Sequence, residues 1–506
     1  MSTTLPSDSG SRSNAPSVAD LLQQAFALHR AGQLKEAVQG YIHVLKLDPN
    51  NVDALHLSGL VLRASGKNPD AEKMIRRAIA LRPTFVEAHY NLGNTLSALG
   101  KVDEAIESYE HAISLQPDHT TALYNLGNLH RNQGKFDDAV ACFQKAVKYK
   151  PSYAEAWHNL ANVFKEMGEI ILAVEIYRKT LSLVPDLAEA HYNLGLSLMA
   201  LGQFEEGFRE YEWRWKVDTF PSPKRNFSQP QWDGSAFPGR CLLVHAEQGL
   251  GDVIQFCRYL PMLPSRSGGG RVMLECLPSQ MGLLGRLEGV DAVVPAGQPL
   301  PPFDLQVPIL SLPFIFKTSL ETIPNACPYL TPNPERVSLW RNRMGEQQDV
   351  VRIGLVWAGN PRHGNDKNRS LSLRQFFGLP MQKMIKYYSL QKDKAAEEIN
   401  QFGLSGVIPD LGKDIKDFED LTAVISILDL LITVDSAPAH VAGGLGKLVW
   451  TLLPFSADWR WMTETSESPW YPTMTLYRQS QAGAWDDVLA RIVTDIAGVM
   501  AAINAS

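Results

Sequence analysis

The chain has 506 residues, of which 45% are hydrophobic and 20% charged, and its net charge is −6. This is the composition of a globular protein of two or three domains, and the acidic balance argues against a dedicated nucleic-acid binder. No run approaches the roughly 20 apolar residues that cross a bilayer, and the Ser-rich stretch 1–16 lacks the cationic end and apolar core of a signal peptide. That stretch reads as a disordered lead-in. The five cysteines, Cys142, Cys241, Cys257, Cys276 and Cys327, are scattered without a CxxC pair, so reduced thiols and a cytoplasmic location are expected, with no metal.

Residues 17–215 carry an internal repeat. Pro49, Pro83, Pro117, Pro151 and Pro185 each follow the last by 34 residues, and Gly32, Gly66, Gly100, Gly134, Gly168 and Gly202 keep the same step. Ala37, Ala71, Ala105, Ala139 and Ala173 track them. Each unit reads as a helix, a tight turn at the glycine, a second helix crossing the first at the alanine, and a proline that stops it. This pattern resembles the tetratricopeptide family, whose units stack into a superhelix because a lone helix pair cannot bury its apolar stripe. About six units are expected. In the sixth, Gly207 stands at the alanine position, and Tyr211-Glu212-Trp213-Arg214-Trp215 reads as a capping segment docked on the next domain.

Asn91, Asn125, Asn159 and Asn193 also recur every 34 residues, with Asn94, Asn128 and Asn162 three residues on and therefore on the same helix face. A carboxamide offers both a donor and an acceptor, which suits an extended peptide backbone of any sequence. The O-linked N-acetylglucosamine transferases join such repeats to a GT-B domain and hold the acceptor polypeptide on a similar ladder. By that resemblance the four first-row asparagines are candidate acceptor-peptide contacts. The other reading is that they satisfy hydrogen bonds between helices.

Residues 216–239 form a Pro-rich connector. Arg240 to His245 then reads as a buried strand, followed by Gly249-Leu250-Gly251-Asp252 and a helix from Val253 to Leu260 stopped by Pro261. A strand, a glycine turn and a helix start make a place for an anion or a closely approaching ligand. The run Gly-Leu-Gly-Asp-Val-Ile-Gln resembles the first loop of heptosyltransferase-like glycosyltransferases. The resemblance makes Asp252 the candidate general base and Gly251 a donor-side residue; the alternative is that Asp252 only caps the helix. Strands at 271–276, 292–295 and 305–308 complete a small α/β half over 240–345.

The second half is expected over 346–506. The buried strand Val351 to Trp357 leads into the loop 358–370, which carries Arg362, Lys367 and Arg369 and ends at a helix start near Ser372. Convergent backbone N–H groups and cations there suit a diphosphate. The family resemblance points to Lys367 as a phosphate contact, with Asn360 and Arg369 beside it. Gln391, at the end of a strand over 387–390, is a candidate base or ribose contact. Leu430 to Val434 then runs into Asp435-Ser436-Ala437-Pro438-Ala439-His440 and a helix, with Asp435 or Ser436 capping it and Pro438 in its first turn. This resembles the Asp-Ser/Thr-x-x-x-His element that holds donor phosphates in heptosyltransferases, and nominates Asp435, Ser436, Ala437 and His440. Ala437 stands where that family has glycine. A core-facing histidine is the alternative for His440. The aromatic stretch 453–472 could stack a nucleobase or sugar ring or pack the domain interface, with packing preferred, and the helix from Trp485 to Ile503 suits the C-terminal helix that GT-B proteins fold back across both halves.

The fold expected is thus an all-α tetratricopeptide solenoid followed by an α/β GT-B fold of two Rossmann-like halves. The function implied is an inverting, metal-independent glycosyltransferase that uses a nucleotide sugar as substrate and needs no cofactor. A solenoid suits a protein acceptor, and flagellin glycosyltransferases of bacteria share this architecture. The alternatives are a lipopolysaccharide or glycan acceptor, or a non-catalytic adaptor with a degenerate transferase domain.

Overall fold

The structure, a computed structural model, describes residues 16–222, 224–247, 249–345 and 350–505, with side chains to 498 in the last helix. The lead-in expected over 1–16 lies outside the described residues except for Pro16. The chain divides into two compact units, the first ending at Val163 and the second beginning at Phe164.

The expected helix pairs form: Val18–Arg30 with Leu34–Leu47, Val52–Ala64 with Asn68–Leu81, Val86–Ala98 with Val102–Leu115, and Thr120–Asn132 with Phe136–Tyr149. Ala154–Met167, Ile170–Leu183, Ala188–Ala200 and Phe204–Tyr211 continue the series. The recurrent turn glycines hold φ between 73° and 87°, a left-handed conformation that penalises any residue with a Cβ. The crossing alanines are fully buried.

In the second unit, β1 (Cys241–His245), β2 (Arg271–Cys276), β3 (Ala292–Pro295) and β4 (Leu305–Pro308) form a parallel sheet of order β3-β2-β1-β4. A second parallel sheet joins β5 (Val351–Val356), β6 (Ile385–Ser389), β7 (Leu430–Val434), β8 (Val449–Leu453) and β9 (Met474–Arg478) in the order β6-β5-β7-β8-β9. β8 and β9 were not anticipated, because their apolar runs lie beside an aromatic, Pro-rich stretch that reads as loop. The strand order reverses at β1 in the first sheet and between β5 and β7 in the second. Ligands of open parallel sheets sit at such reversals, beyond the strand C-termini. The loops that follow β1, β5 and β7 are the three singled out from the sequence.

One core joins the first sheet to the last repeat helices (Phe204, Phe208, Tyr211) and to Trp459, Trp461, Trp470 and Tyr471. The aromatic stretch is therefore packing, as expected. The helix Trp485–Ala505 departs from expectation. Its Trp485, Val488, Leu489, Ile492 and Ile496 pack on the other face of the second sheet, with Ile353, Leu355 and Tyr477, rather than crossing to the first half. Among the elements that do cross are the turn at 458–461 and Arg258, whose Nη1 donates to Trp470 O at 2.6 Å, together with ion pairs such as Arg286 with Glu419 and Arg336 with Asp420.

Candidate functional site

The turn after β1 is fixed from two sides. Glu247 is fully buried and accepts from Arg214 Nε at 2.9 Å and Nη2 at 3.1 Å. Arg214 also donates to Glu212 Oε1 at 2.6 Å and Ser311 Oγ at 2.8 Å. Burial works against its charge, but Glu247 and Glu212 outweigh it and raise its pKa. The cap of the repeats is thereby tied to the residue that leads into Gly249. On the other side, Gly251 meets the second half: a Cβ there would lie 2.8 Å from His440 Cδ2.

Asp252 serves as the helix cap that the sequence allowed, since its Oδ2 accepts from Gly249 N–H at 2.9 Å. It also does more than cap. Its Oδ1 accepts from Arg460 Nη2 at 2.7 Å, and its side chain is 16% exposed. Burial raises its pKa, Arg460 pulls the other way, and Asp458 adds to the rise. Arg460 came from no motif. Its signal is an arginine inside Asp458-Trp459-Arg460-Trp461, because a cation among tryptophans requires buried acceptors. It finds Asp252, Asp458 Oδ1 (2.8 Å) and Gln255 Oε1 (2.8 Å).

The loop after β5 is closed by its own hydrogen bonds. Gly359 N–H donates to Ser370 Oγ, and Ser370 Oγ–H to Asp366 Oδ1, each at 2.9 Å; Arg369 Nε lies 3.4 Å from the same oxygen. This turns Arg369 inward, near enough to Asp435 to lower its pKa. Lys367, one residue from the centre of the same single-turn helix, is exposed and unpaired among the described residues. Arg369, not Lys367, is thus the cation aimed at the β7 loop. Asn360 is exposed and folds its Oδ1 onto Arg362 N–H at 3.0 Å, forming the turn itself. His363 stands close enough to Asp252 to feel its charge, and burial, then Arg369, lowers its pKa.

Gln391 has a different task from the ligand contact expected of it. Its Oε1 accepts from Trp357 and Ala358 N–H (both 2.9 Å), and its Nε2 donates to Ala358 O (3.1 Å) and Lys392 O (3.2 Å). Both lone pairs and both N–H groups are engaged, so none remains for a ribose or base. Gln391 pins the start of the loop instead.

Beyond β7, Ser436 occupies the cap position, yet its Oγ turns back to Val434 O at 3.1 Å and makes no side-chain cap. Pro438 lies in the first turn as expected, and the helix Ala437–Gly444 begins with Ala437 partly exposed. Asp435 is pushed up to about 6 by burial and then by Asp458, against Arg369, Trp461 and Arg460. His440 is core-facing: it is 4% exposed, shares a 2.9 Å hydrogen bond with the Tyr471 hydroxyl, and stacks on Trp461 at 5.3 Å. Burial, with Arg460 and Arg258 nearby, keeps it neutral. His440 therefore joins the halves as an uncharged spacer against Gly251.

The asparagine rows do bond between helices. Asn125 Nδ2 donates to Asn94 Oδ1, and Asn159 Nδ2 to Asn128 Oδ1, each at 2.8 Å. Asn91 is buried and donates to Glu87 O at 2.8 Å, while Asn193 accepts from Lys165 Nζ at 2.8 Å. The structural reading of the ladder is thus filled. Asn125, Asn159 and Asn193 remain partly exposed. A cavity of 440 Å³ lies elsewhere, against the last repeat helix, walled by Glu205, Arg209, Trp232, Asp233, Phe314 and Lys317; it contains none of these candidates.

No described helix is long and apolar enough to cross a membrane. Protein FlbA of Caulobacter vibrioides is 24% identical over 318 residues, which cover 59% of this chain. The chain spans about half (53%) of the length of that curated relative. Among solved structures, MamA is 27% identical (33% of this chain, 96% of that one, TM-score 0.31). YrrB, described as a tetratricopeptide protein with an unusual peptide-binding site, is 23% identical (35% and 91%, TM-score 0.32). PilW, described as a type IV pilus biogenesis factor, is 23% identical (41% and 95%, TM-score 0.36). Family models described as TPR repeat match residues 127–168 and 162–202, and others described as Tetratricopeptide repeat match 86–119 and 108–141. The N-terminal region of the chain therefore consists of tetratricopeptide repeats, a module that engages partner proteins or peptides.

Proposed function

We propose that the region after the repeats is a GT-B glycosyltransferase, which moves a sugar from a nucleotide-sugar donor to a protein acceptor held by the repeats. One observation carries this reading: the loops after β1, β5 and β7 converge, with Gly251 against His440, Arg460 bonded to Asp252 and near Asp435, and Arg369 near Asp435. Two parallel sheets with their reversal points brought together are the arrangement in which such an enzyme holds its donor. In it, Asp252 takes the proton of the incoming hydroxyl, and its raised pKa suits a base. Arg369 and the N-terminus of the Ala437–Gly444 helix, left without a side-chain cap, balance the charge of the departing nucleotide phosphate, work that a metal does elsewhere. Displacement is direct, with inversion at the sugar. Flagellin is the first acceptor to test, in view of the flagellin glycosyltransferases with this architecture.

The experiment is a thermal-shift screen against ADP-, UDP-, GDP- and CMP-sugars. A donor at 100 times its dissociation constant should add about 2.7 kcal/mol. One nucleotide class is expected to stabilise the protein, and Asp252→Asn to keep that stabilisation while losing transfer. If none of the donors stabilises the protein, a non-catalytic adaptor is the better description.

A further inference from the structure

We propose that Arg460 is the positioning residue for Asp252, so that the second half of the transferase region supplies the group that makes the first half's carboxylate competent. The inference rests on Asp252 acting as the base in sugar transfer. It stands on geometry. Arg460 lies 208 residues from Asp252 in sequence and reaches it at 2.7 Å. Its other nitrogens are anchored, Nη1 on Asp458 Oδ1 and Nε on Gln255 Oε1, both at 2.8 Å. The guanidinium lies over the rings of Trp459 (4.5 Å) and Phe256 (5.8 Å) and its side chain is 9% exposed, so it cannot swing away. A planar fork held at three points fixes the partner carboxylate in direction as well as distance.

Among the described residues the other hydrogen bond to Asp252 is Gly249 N–H on Oδ2, which leaves one lone pair on each carboxylate oxygen outside these bonds. The carboxylate is thus held without being saturated, which is what a base needs. The charged and titratable groups around it come from several elements. Asp458 and Arg460 face it from the 458–461 turn, His363 from the β5 loop, and Tyr192 from the last repeat; the neutral His440 lies against Gly251. Burial and Asp458 favour the protonated acid, and Arg460 is the largest influence opposing them. Without Arg460, Asp252 would keep its proton to higher pH and could not accept the one from the acceptor hydroxyl.

The test compares the full-length wild type with Arg460→Met and Arg460→Lys. Turnover is followed on whichever donor the screen selects, and Asp252 is titrated by 13C NMR of aspartate carboxyls, assigned with Asp252→Asn. Arg460→Met should lower kcat about 100-fold with donor KM within about 3-fold, and move the acid limb of kcat/KM up by about one pH unit. The carboxyl titration should move the same way. Arg460→Lys keeps the charge but loses the fork, so its limb should stay near that of the wild type while kcat falls about 10-fold. An unmoved limb and carboxyl titration in Arg460→Met, or wild-type kcat in Arg460→Lys, overturns the proposal. If Arg460→Met does not fold, Arg460→Lys decides alone. If the wild type turns over no donor, the transferase reading fails, and the NMR titration still shows whether Arg460 governs the charge of Asp252.

Discussion

Replacing Arg214 by Met should cut the stability of the second unit heavily, because of what it would leave behind. Arg214 is fully buried and makes three carboxylate contacts, two to Glu247 and one to Glu212, besides one to Ser311. With the guanidinium gone, the Glu247 side chain would be buried with Leu310 N–H (3.1 Å) as its remaining hydrogen-bond donor. Leaving one partner of a buried pair costs about 3–5 kcal/mol. In a unit of this size that corresponds to a drop in Tm of about 4–7 °C. Replacing both partners with apolar residues (Arg214→Met with Glu247→Leu) removes the orphaned charge and should recover most of the loss. Thermal unfolding of the four corners of this cycle is the assay. If Arg214→Met unfolds within about 2 °C of wild type, or the double variant is no better than the single, the clamp between the repeat cap and the glycine turn is not as described.

Gly251→Ala should cost about 1–3 kcal/mol, because the new methyl meets an imidazole held by Tyr471 and Trp461. Gly249→Ala, whose methyl would lie at an ordinary 3.5 Å from Asp252 Oδ2, should be nearly neutral in the same melt. The Asp435 carboxyl sits near 6 in the folded protein, above its unfolded value, so the folded state binds the extra proton and stability falls as pH rises through that window. Asp435→Asn should therefore raise Tm at pH 8 and lose the gain by pH 4; a gain that does not change with pH would remove this account. Asn159→Ala, which loses bonds to Asn128 and Tyr124, should cost about 1–2 kcal/mol and speed amide exchange in Thr120–Asn132. If exchange there is unchanged, the ladder does not bind the helices together.

The repeats were legible because each 34-residue step reuses the same local devices: a left-handed glycine, a buried alanine and a terminal proline. Seven strands were legible from apolar runs at recognisable lengths. β8 and β9 were not, because their apolar runs lie beside an aromatic, Pro-rich stretch that reads as loop. Of the site, the loops could be located but their inner arrangement could not. Lys367 and Arg369 look equivalent in sequence, and only the Gly359–Ser370–Asp366 ring decides which one turns inward. Arg460 and Arg214 stand among aromatic residues that mark them in the sequence, but their partners Asp252 and Glu247 lie on other elements and could not be read from it. Gln391 sat at the right strand end, yet the carboxamide that suits a ligand suits a loop backbone as well.

The reach of Arg460 across 208 residues has a consequence for synthesis on the ribosome. The repeats are built from short-range contacts and can fold as they emerge. The glycine turn has no such freedom. Until residue 460 has left the exit tunnel, Asp252 lacks its guanidinium partner, and Arg258 lacks its acceptor on Trp470. A message cut short upstream of that codon would therefore release a finished solenoid attached to an unclosed α/β half. Such a product would expose the apolar face meant for Trp459 and Trp470, making it a candidate for chaperone capture rather than a smaller working protein.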